Sequence, residues 1–480
     1  MRTFTLHPDR TRQTIDNFGA SDSWTVEPLI RWPEKDRQKI ADLLFDPKKG
    51  IALSAWRFNL GGGINHETIN NPLRTVDTFE VSEGVYDWNR VPGQRWMLKA
   101  AKEAGVPNIV AYSITPPRRL TRNGFTNGTD GEGTTNLKPG AEPAFARYLV
   151  DIVGHFQKQG YPVTHLSPIN EPDFEWNGVP KASSQEGSRA SNADILALCR
   201  TIRKEQNAHG MSLRLVAPEA TSVQIGTSLN QGMERKYGAP YGDYVPLFER
   251  EAEWRREVDP IYAYHAYWSD NFGQIVPLRK KLREALNRVP EMPVWQTEYC
   301  QMAGPRGEGG WGRDLGMTLA LNVARLIHFD LTLVEARAWQ WWLAVSDSDY
   351  KDGLVYVDDL SRPSGTIYPS KTLWALGHFS RYVRPGFQRI EVDGWTEDPA
   401  GLLVSAYRDP KSRRIVVVLV NTETHSEPAR INLDGRWTVQ PYITSDRPRH
   451  DLLALPKADL GEPLLIPSRS VMTLVCDPVR

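Results

Sequence analysis

The chain of 480 residues reads as an α/β protein, a (β/α)₈ TIM barrel carrying a side β-sandwich, and three observations predict this. Short β-rich apolar runs alternate with longer helical periods from about residue 15 to about residue 380, the order expected of parallel strands joined by helical crossovers. Beyond that point helical periods stop, and LLVSAYRD, RRIVVVLVNTE, WTVQPYIT and SVMTLVCD follow one another between Gly, Pro and Asp turns. The length also exceeds what one hydrophobic core normally holds.

In chain order, RTFTLHP near the start is a strand expected to join the side domain, so that residues 380–480 with 1–15 form the sandwich and residues 16–379 the barrel. Eight strand candidates follow: TIDNFGAS (14–21), SAWRFNL (54–60), NIVAYSI (108–114), THLSPIN (164–170), LRLVAPE (213–219), IYAYHAY (261–267), PVWQTEY (293–299) and EARAWQW (335–341). AFARYLVDIVGHFQKQG before the fourth and RDLGMTLALNVARLIHFDL before the eighth carry the spacing of amphipathic or buried helices. In such a barrel the reactive groups stand at the C-terminal ends of the strands.

Composition narrows the partners. Lysine plus arginine total 58 and so do aspartate plus glutamate, so the basic excess that attracts nucleic acid is missing. No apolar run reads as a membrane span. Cys199, Cys300 and Cys476 lie far apart, which suggests neither a disulfide framework nor a metal knuckle, and no metal is expected. MRTFTLHPDR lacks the apolar core of a signal peptide, so a cytoplasmic location is expected, with secretion after removal of a signal as the alternative. The oligomeric state is left open.

Inspection of the strand ends finds two acids. Glu298 ends the seventh candidate, and Glu171 follows the fourth within SPINEPDFEWNG, where Pro172 is expected to hold it extended. Asn-Glu-Pro alone occurs in ordinary exposed turns. Two carboxylates facing across a barrel mouth, however, are what glycosidic cleavage needs: one gives a proton to the departing oxygen, and the other attacks or stabilises the oxocarbenium-like centre. Arg57, at the end of the second strand, would favour the ionised form of a nearby carboxylate. His265 and Tyr267 end the sixth strand, beside the seventh, where a tyrosine hydroxyl can hold the acid's rotamer.

With Asn170-Glu171-Pro172 and Glu298 stand NFGAS, WRFNLGGG, SITPPRRLTRNG, YHAYW, AWQWWLAVS and SRSVMTLV. Together these segments resemble glycoside hydrolase family 30 of clan A, over essentially the whole chain. DYKDGLVYVD most resembles its endo-β-1,6-galactanase branch. The resemblance implies a retaining hydrolase of β-1,6-linked galactan or galacto-oligosaccharides, with Glu171 as acid/base and Glu298 as nucleophile. Arg57, Asn170, His265, Tyr267 and Trp342 would then contact substrate or its reacting groups, Asn170 at the sugar 2-hydroxyl, and Trp339 and Trp176 offer further flat faces. Gly61, Gly62 and Gly63 are expected to let backbone approach the mouth. Ser113-Ile114-Thr115 departs from relatives that carry a tryptophan there. The alternatives are a β-1,6-glucanase or an exo-acting β-glycosidase of the same family, and, outside enzymes, a carbohydrate-binding barrel. No cofactor is expected: GEGGWG (307–312) fits G-x-G-x-x-G but lies eight residues past Tyr299 and follows seven earlier strands.

Overall fold

The computed structural model describes residues 1–128, 133–176, 185–258, 261–289 and 291–479. Parallel strands Asn17–Ser21, Ala55–Asn59, Asn108–Tyr112, Val163–Ser167, Tyr262–His265, Val294–Glu298 and Ala338–Ser346 surround one axis. The fifth barrel strand is split. Arg214–Leu215 pairs with the fourth strand and Ala217–Ala220 with the sixth, so the two ends of the sheet are adjacent pieces of chain and the barrel closes through them. Pairs such as Gly19 with Ala55, Trp56 with Ile109 and Ala338 with Asn17 fix the register around the ring.

The lower barrel is filled by Val110, Val216, Ile261, Ala263, Trp295 and Ala338, an apolar plug contributed by the third, sixth, seventh and eighth strands, the residue before the sixth and the break in the fifth. Two residues further along the same strands, the alternation of side chains brings Tyr112, His265, Thr297 and Gln340 to the axis. The apolar floor therefore carries a polar layer above it.

Strand boundaries differ from the sequence reading in ways that matter. The eighth strand is Ala338–Ser346 rather than 335–341, because the helix Met317–Phe329 runs on into a π-helical turn, Asp330–Val334, and Glu335 then takes a left-handed conformation, φ 58°. That helical run also corrects the reading of hydropathy. Met317–Val334 averages 1.3 and is long and apolar enough to cross a membrane, but 89% of it is buried. Its apolar length fills the layer between the helix Lys371–Ser380 and the side sheet.

Arg2–Thr14 lies between Gln388–Asp393, antiparallel, and Glu427–Asn432, parallel, in a nine-stranded sheet of its own. The period of two assigns each face. Val404, Ala406, Val417, Leu419, Met472 and Leu474 enclose a second core with Phe4 and Ile431, whereas Leu403, Tyr407, Val418 and Val420 turn the other way into the main core. The side sheet is thus fastened to the barrel by its apolar back, and His378 adds hydrogen bonds of 2.8 and 2.9 Å to Thr473 and Thr444.

Candidate active site

Glu298 ends its strand beside His265, with which it is paired in register. Pairing jumps there from Tyr264 with Gln296 to His265 with Glu298, a bulge that re-aims the last side chain, so Thr297 and Glu298 both reach the mouth. Two donors hold Glu298: Arg57 Nη1 at 2.8 Å on Oε2 and the Tyr267 hydroxyl at 2.8 Å on Oε1. Both oxygens are thereby oriented.

Glu171 stands four residues beyond the fourth strand, which ends at Ser167. It is not extended. Its φ is +46°, in the left-handed region, and Glu219, next to last in the fifth strand, has φ +60°. Such conformations cost on the order of 1–3 kcal/mol each and persist when their surroundings over-determine them. Here the Glu171 N–H donates to the Glu219 carbonyl at 3.1 Å, and Trp176 Nε1 donates to the Glu171 carbonyl at 3.0 Å. The proline still bars the right-handed helical region, but these bonds select the left-handed alternative over the extended one.

His265 joins the acids. Its Nδ1 lies 2.9 Å from Glu171 Oε1 and 3.6 Å from Glu298 Oε1, and its Nε2 lies 3.2 Å from Glu219 Oε2. Burial alone would lower its pKa, but the charge of Glu298 and the bonds to Glu171 and Glu219 outweigh it and lift the pKa to about 10. His265 is then an imidazolium whose two nitrogens both donate. Glu219 is fully buried, which would raise its pKa, yet Arg57 Nη2 at 3.5 Å and His265 hold it below the usual carboxylate range. Thr297 also donates to Glu219. Glu171 goes the other way: burial pushes it up to about 7 against the pull of His265, and Glu298 adds to the rise. Arg57 and the imidazolium supply two positive charges, Glu219 and Glu298 two negative ones. A neutral Glu171 closes that balance.

Single ligand atoms of Glu171, His265 and Glu298 all lie within 4.8 Å of one another, a spacing a metal ion could use. The donor set fits poorly. A protonated imidazole has no lone pair to offer, and Glu298 already faces the Arg57 guanidinium at 2.8 Å. The same spacing leaves the two carboxyl groups facing each other directly.

Asn170 is buried beside Glu171, and its Oδ1 meets no donor among the described residues. Trp342, 8% exposed, rests edge-on against Trp24, with ring centroids 5.2 Å apart at 85°. Trp339 is not at the mouth. It has the opposite parity along its strand, is fully buried, and donates to Asp330 at 2.9 Å behind the barrel wall. Trp176 is half-buried next to Glu171 and packs on Phe174. The glycine run serves loop packing rather than the mouth: a Cβ on Gly61 would come within 2.3 Å of the Asp77 carbonyl, and one on Gly62 within 2.9 Å of that of Pro116. Ser113 caps the Thr115 carbonyl at 3.0 Å, and all three residues of the departing segment are buried. GEGGWG opens no helix, since the next one starts at Met317. The sequence reading passed over Glu219, although LRLVAPE ends on an acid just as PVWQTEY reaches Glu298.

The profile of O-glycosyl hydrolase family 30 matches residues 2–356. The chain belongs to that family. It is 25% identical over 329 residues to glucuronoxylanase XynC of Bacillus subtilis (strain 168), across 68% of this chain and 63% of that protein. The chain thus matches a little under two thirds of that relative's length. A conserved exported protein from Bacteroides fragilis superposes with a TM-score of 0.86 at 28% identity, covering 99% of this chain and 100% of the other. The catalytic domain of GH30 xylanase C from Talaromyces cellulolyticus gives 0.72 at 21% identity, covering 99% of each chain. An endo-β-1,6-glucanase gives 0.71 at 18%, covering 98% of this chain and 94% of the other. The last two likenesses are of fold. Family match and architecture agree on a member of O-glycosyl hydrolase family 30 built as a (β/α)₈ barrel with a side domain.

Proposed function

We propose that this glycoside hydrolase cleaves β-1,6-linked galactan or galacto-oligosaccharides by double displacement, with Glu298 as nucleophile and Glu171 as acid/base. The observation that carries the reading is the facing pair, an oxygen of each acid within 4.8 Å of the other. Carboxyl groups about 5–5.5 Å apart leave no room for a water between acid and sugar, whereas inversion needs roughly 6.5–9.5 Å. Arg57 and Tyr267 orient the attacking oxygen of Glu298, and Glu171 brings a proton for the leaving oxygen. Asn170, with Oδ1 unpartnered, is suited to accept a sugar hydroxyl, and Trp342 offers a pyranose its ring. Galactan is favoured by the resemblance of DYKDGLVYVD to the galactanase branch; its strand Gly353–Val357 pairs with the eighth barrel strand.

A β-1,6-glucanase is the second reading, supported by the endo-β-1,6-glucanase among the superposed structures. The product profile on β-1,6-galactan, β-1,6-glucan and glucuronoxylan separates the possibilities. Release of galacto-oligosaccharides alone is expected; gluco- or xylo-oligosaccharides as the main products would move the assignment. A single small product throughout would mean exo action.

Glu171 must be protonated for the first displacement, so with its pKa raised to about 7, kcat/KM on a poor leaving group should fall about tenfold per unit above that pH. Glu219 is read as a positioning residue acting through His265. In Glu219→Gln the imidazolium loses an anionic partner and titrates lower. The ion pairing around Glu171 is thereby changed, and the alkaline limb shifts while kcat falls by about 10²-fold. A pH profile whose limb stays in place in Glu219→Gln would reduce Glu219 to packing.

A further inference from the structure

Where the barrel meets the side sheet lies a cavity of about 250 Å³ whose lining includes none of the residues of the acid network. Its walls come from the loop after the seventh strand, from the helix Met317–Phe329 and from side-sheet turns that include Thr422. Arg325 projects into it from the helix and is 5% exposed. Its Nε donates to the Pro399 carbonyl at 2.5 Å and its Nη1 to Asn322 at 3.3 Å, but among the described residues no carboxylate pairs with it. Among the described residues Arg306 has no carboxylate within ion-pair distance of its guanidinium either. Both guanidiniums lie over the ring of Phe272, at 4.7 Å for Arg325 and 5.3 Å for Arg306.

Two like charges on one aromatic ring repel each other, and burial of one of them without an anion is unfavourable. Burial, with Arg306 adding to it, pulls the Arg325 pKa down to about 10 even though Asp270 and Glu308 lie near enough to raise it, neither within ion-pair distance. The other charged groups of the wall leave the two guanidinium forks without a direct carboxylate contact among the described residues. Lys351 Nζ donates to the Gly309 and Trp311 carbonyls, and Arg469 pairs with Asp446 at 2.8 Å. Glu308 accepts from the Arg306 backbone at 2.9 Å, and Asp314 takes the N–H groups of Gly316 and Leu319 at 2.7 and 3.0 Å. Glu423 also lines the cavity, outside ion-pair range of either arginine. Around the arginine pair stand Gln301, Thr318, Asn322 and Thr422, side chains that exchange hydrogen bonds with hydroxyl groups.

We propose that this cleft binds a small polyhydroxylated anion, a single sugar unit bearing a carboxylate or phosphate group, at a site separate from the catalytic mouth. The guanidinium forks of Arg306 and Arg325 take the acidic group, which suits their planar, multi-donor geometry, and the amide and hydroxyl lining takes the ring hydroxyls. The volume fits one pyranose unit rather than a chain.

Isothermal titration of the full chain with galacturonate, galactose 6-phosphate, galactose and inorganic phosphate tests this, with Arg306→Ala and Arg325→Gln alongside. At least one acidic sugar should bind, galactose at least tenfold more weakly, and each variant should lose at least tenfold in affinity for the acidic sugar. Whether the carboxylate or the phosphate is preferred identifies the source of the ligand. Arg306 is exposed, so its variant folds even if Arg325→Gln does not, and its unchanged kcat/KM would show that the mouth is intact. No binding of either acidic sugar, binding unchanged in Arg306→Ala, galactose binding as tightly as the acidic sugars, or inorganic phosphate binding as tightly as the sugar phosphate would each overturn the proposal.

Discussion

Glu298→Ala is expected to abolish turnover, by on the order of 10⁵-fold or more, the scale of losing the nucleophile in a covalent hydrolase. The fold should survive. Glu298 is one of two acids against Arg57, and Glu219 stays at 3.5 Å from the same guanidinium after the substitution. Glu298→Gln keeps the volume and leaves an amide oxygen for Arg57 and Tyr267, so it controls for the loss of packing. Both variants should give the wild-type circular dichroism spectrum with almost no product. Azide then offers a sharper test. In Glu298→Ala it can enter the space left by the carboxylate and attack from that face, which inverts the anomeric centre once and yields an α-glycosyl azide from a β-glycoside. Turnover near wild type in Glu298→Ala would remove this residue from the mechanism.

The structure brings Glu171, Glu298, Arg57, His265, Tyr267 and the newly recognised Glu219 into one network, and the sequence made most of it visible for one reason. In a (β/α)₈ barrel, strand ends are the places where polar side chains collect, so finding the strands finds the candidates. The fold class was legible from the alternation of strand and helix and from the change of texture near residue 380. What escaped depends on contacts between loops. The left-handed conformation of Glu171 is set by the Glu219 carbonyl, which is remote in sequence, and by the Trp176 indole, which is close in sequence but bonds backward in a way no periodicity shows. Trp339 and Trp342 could not both face inward, since three residues along a strand reverse the direction of the side chain. The parity could have decided between them, but not which one, because that follows from where the π-helical turn releases the chain. The apolar length of Met317–Val334 went unnoticed because Arg325 and Asp330 interrupt it, and both are buried there in polar contacts. Glu219 was overlooked although it obeys the same strand-end rule as Glu298.

Glu171→Ala should divide substrates by their leaving groups. The first displacement needs a proton for a sugar alkoxide but not for an activated phenolate. A natural oligosaccharide should therefore lose about 10²–10⁴-fold in kcat/KM, the range of general acid catalysis, while a dinitrophenyl β-glycoside still forms the glycosyl–Glu298 intermediate. That intermediate should accumulate, since water now attacks it without a base. Added azide, an anion that needs no base, should restore turnover and give a β-glycosyl azide, the opposite anomer to that expected from Glu298→Ala. The two azide products thus assign the two roles independently: one inversion when the nucleophile is missing, two when the acid/base is missing. In the wild-type enzyme the same count requires that freshly released sugar be β. Proton NMR within the first minutes, before mutarotation, reads it directly. An initial α anomer would mean that water attacks in a single step, which carboxyl groups this close cannot accommodate, and the assignment of Glu171 and Glu298 would fail together. Glu171 at about 7 can serve both steps, as acid while Glu298 is charged and as base once that charge is consumed in the glycosyl bond, because Glu298 is one of the groups that hold its pKa up.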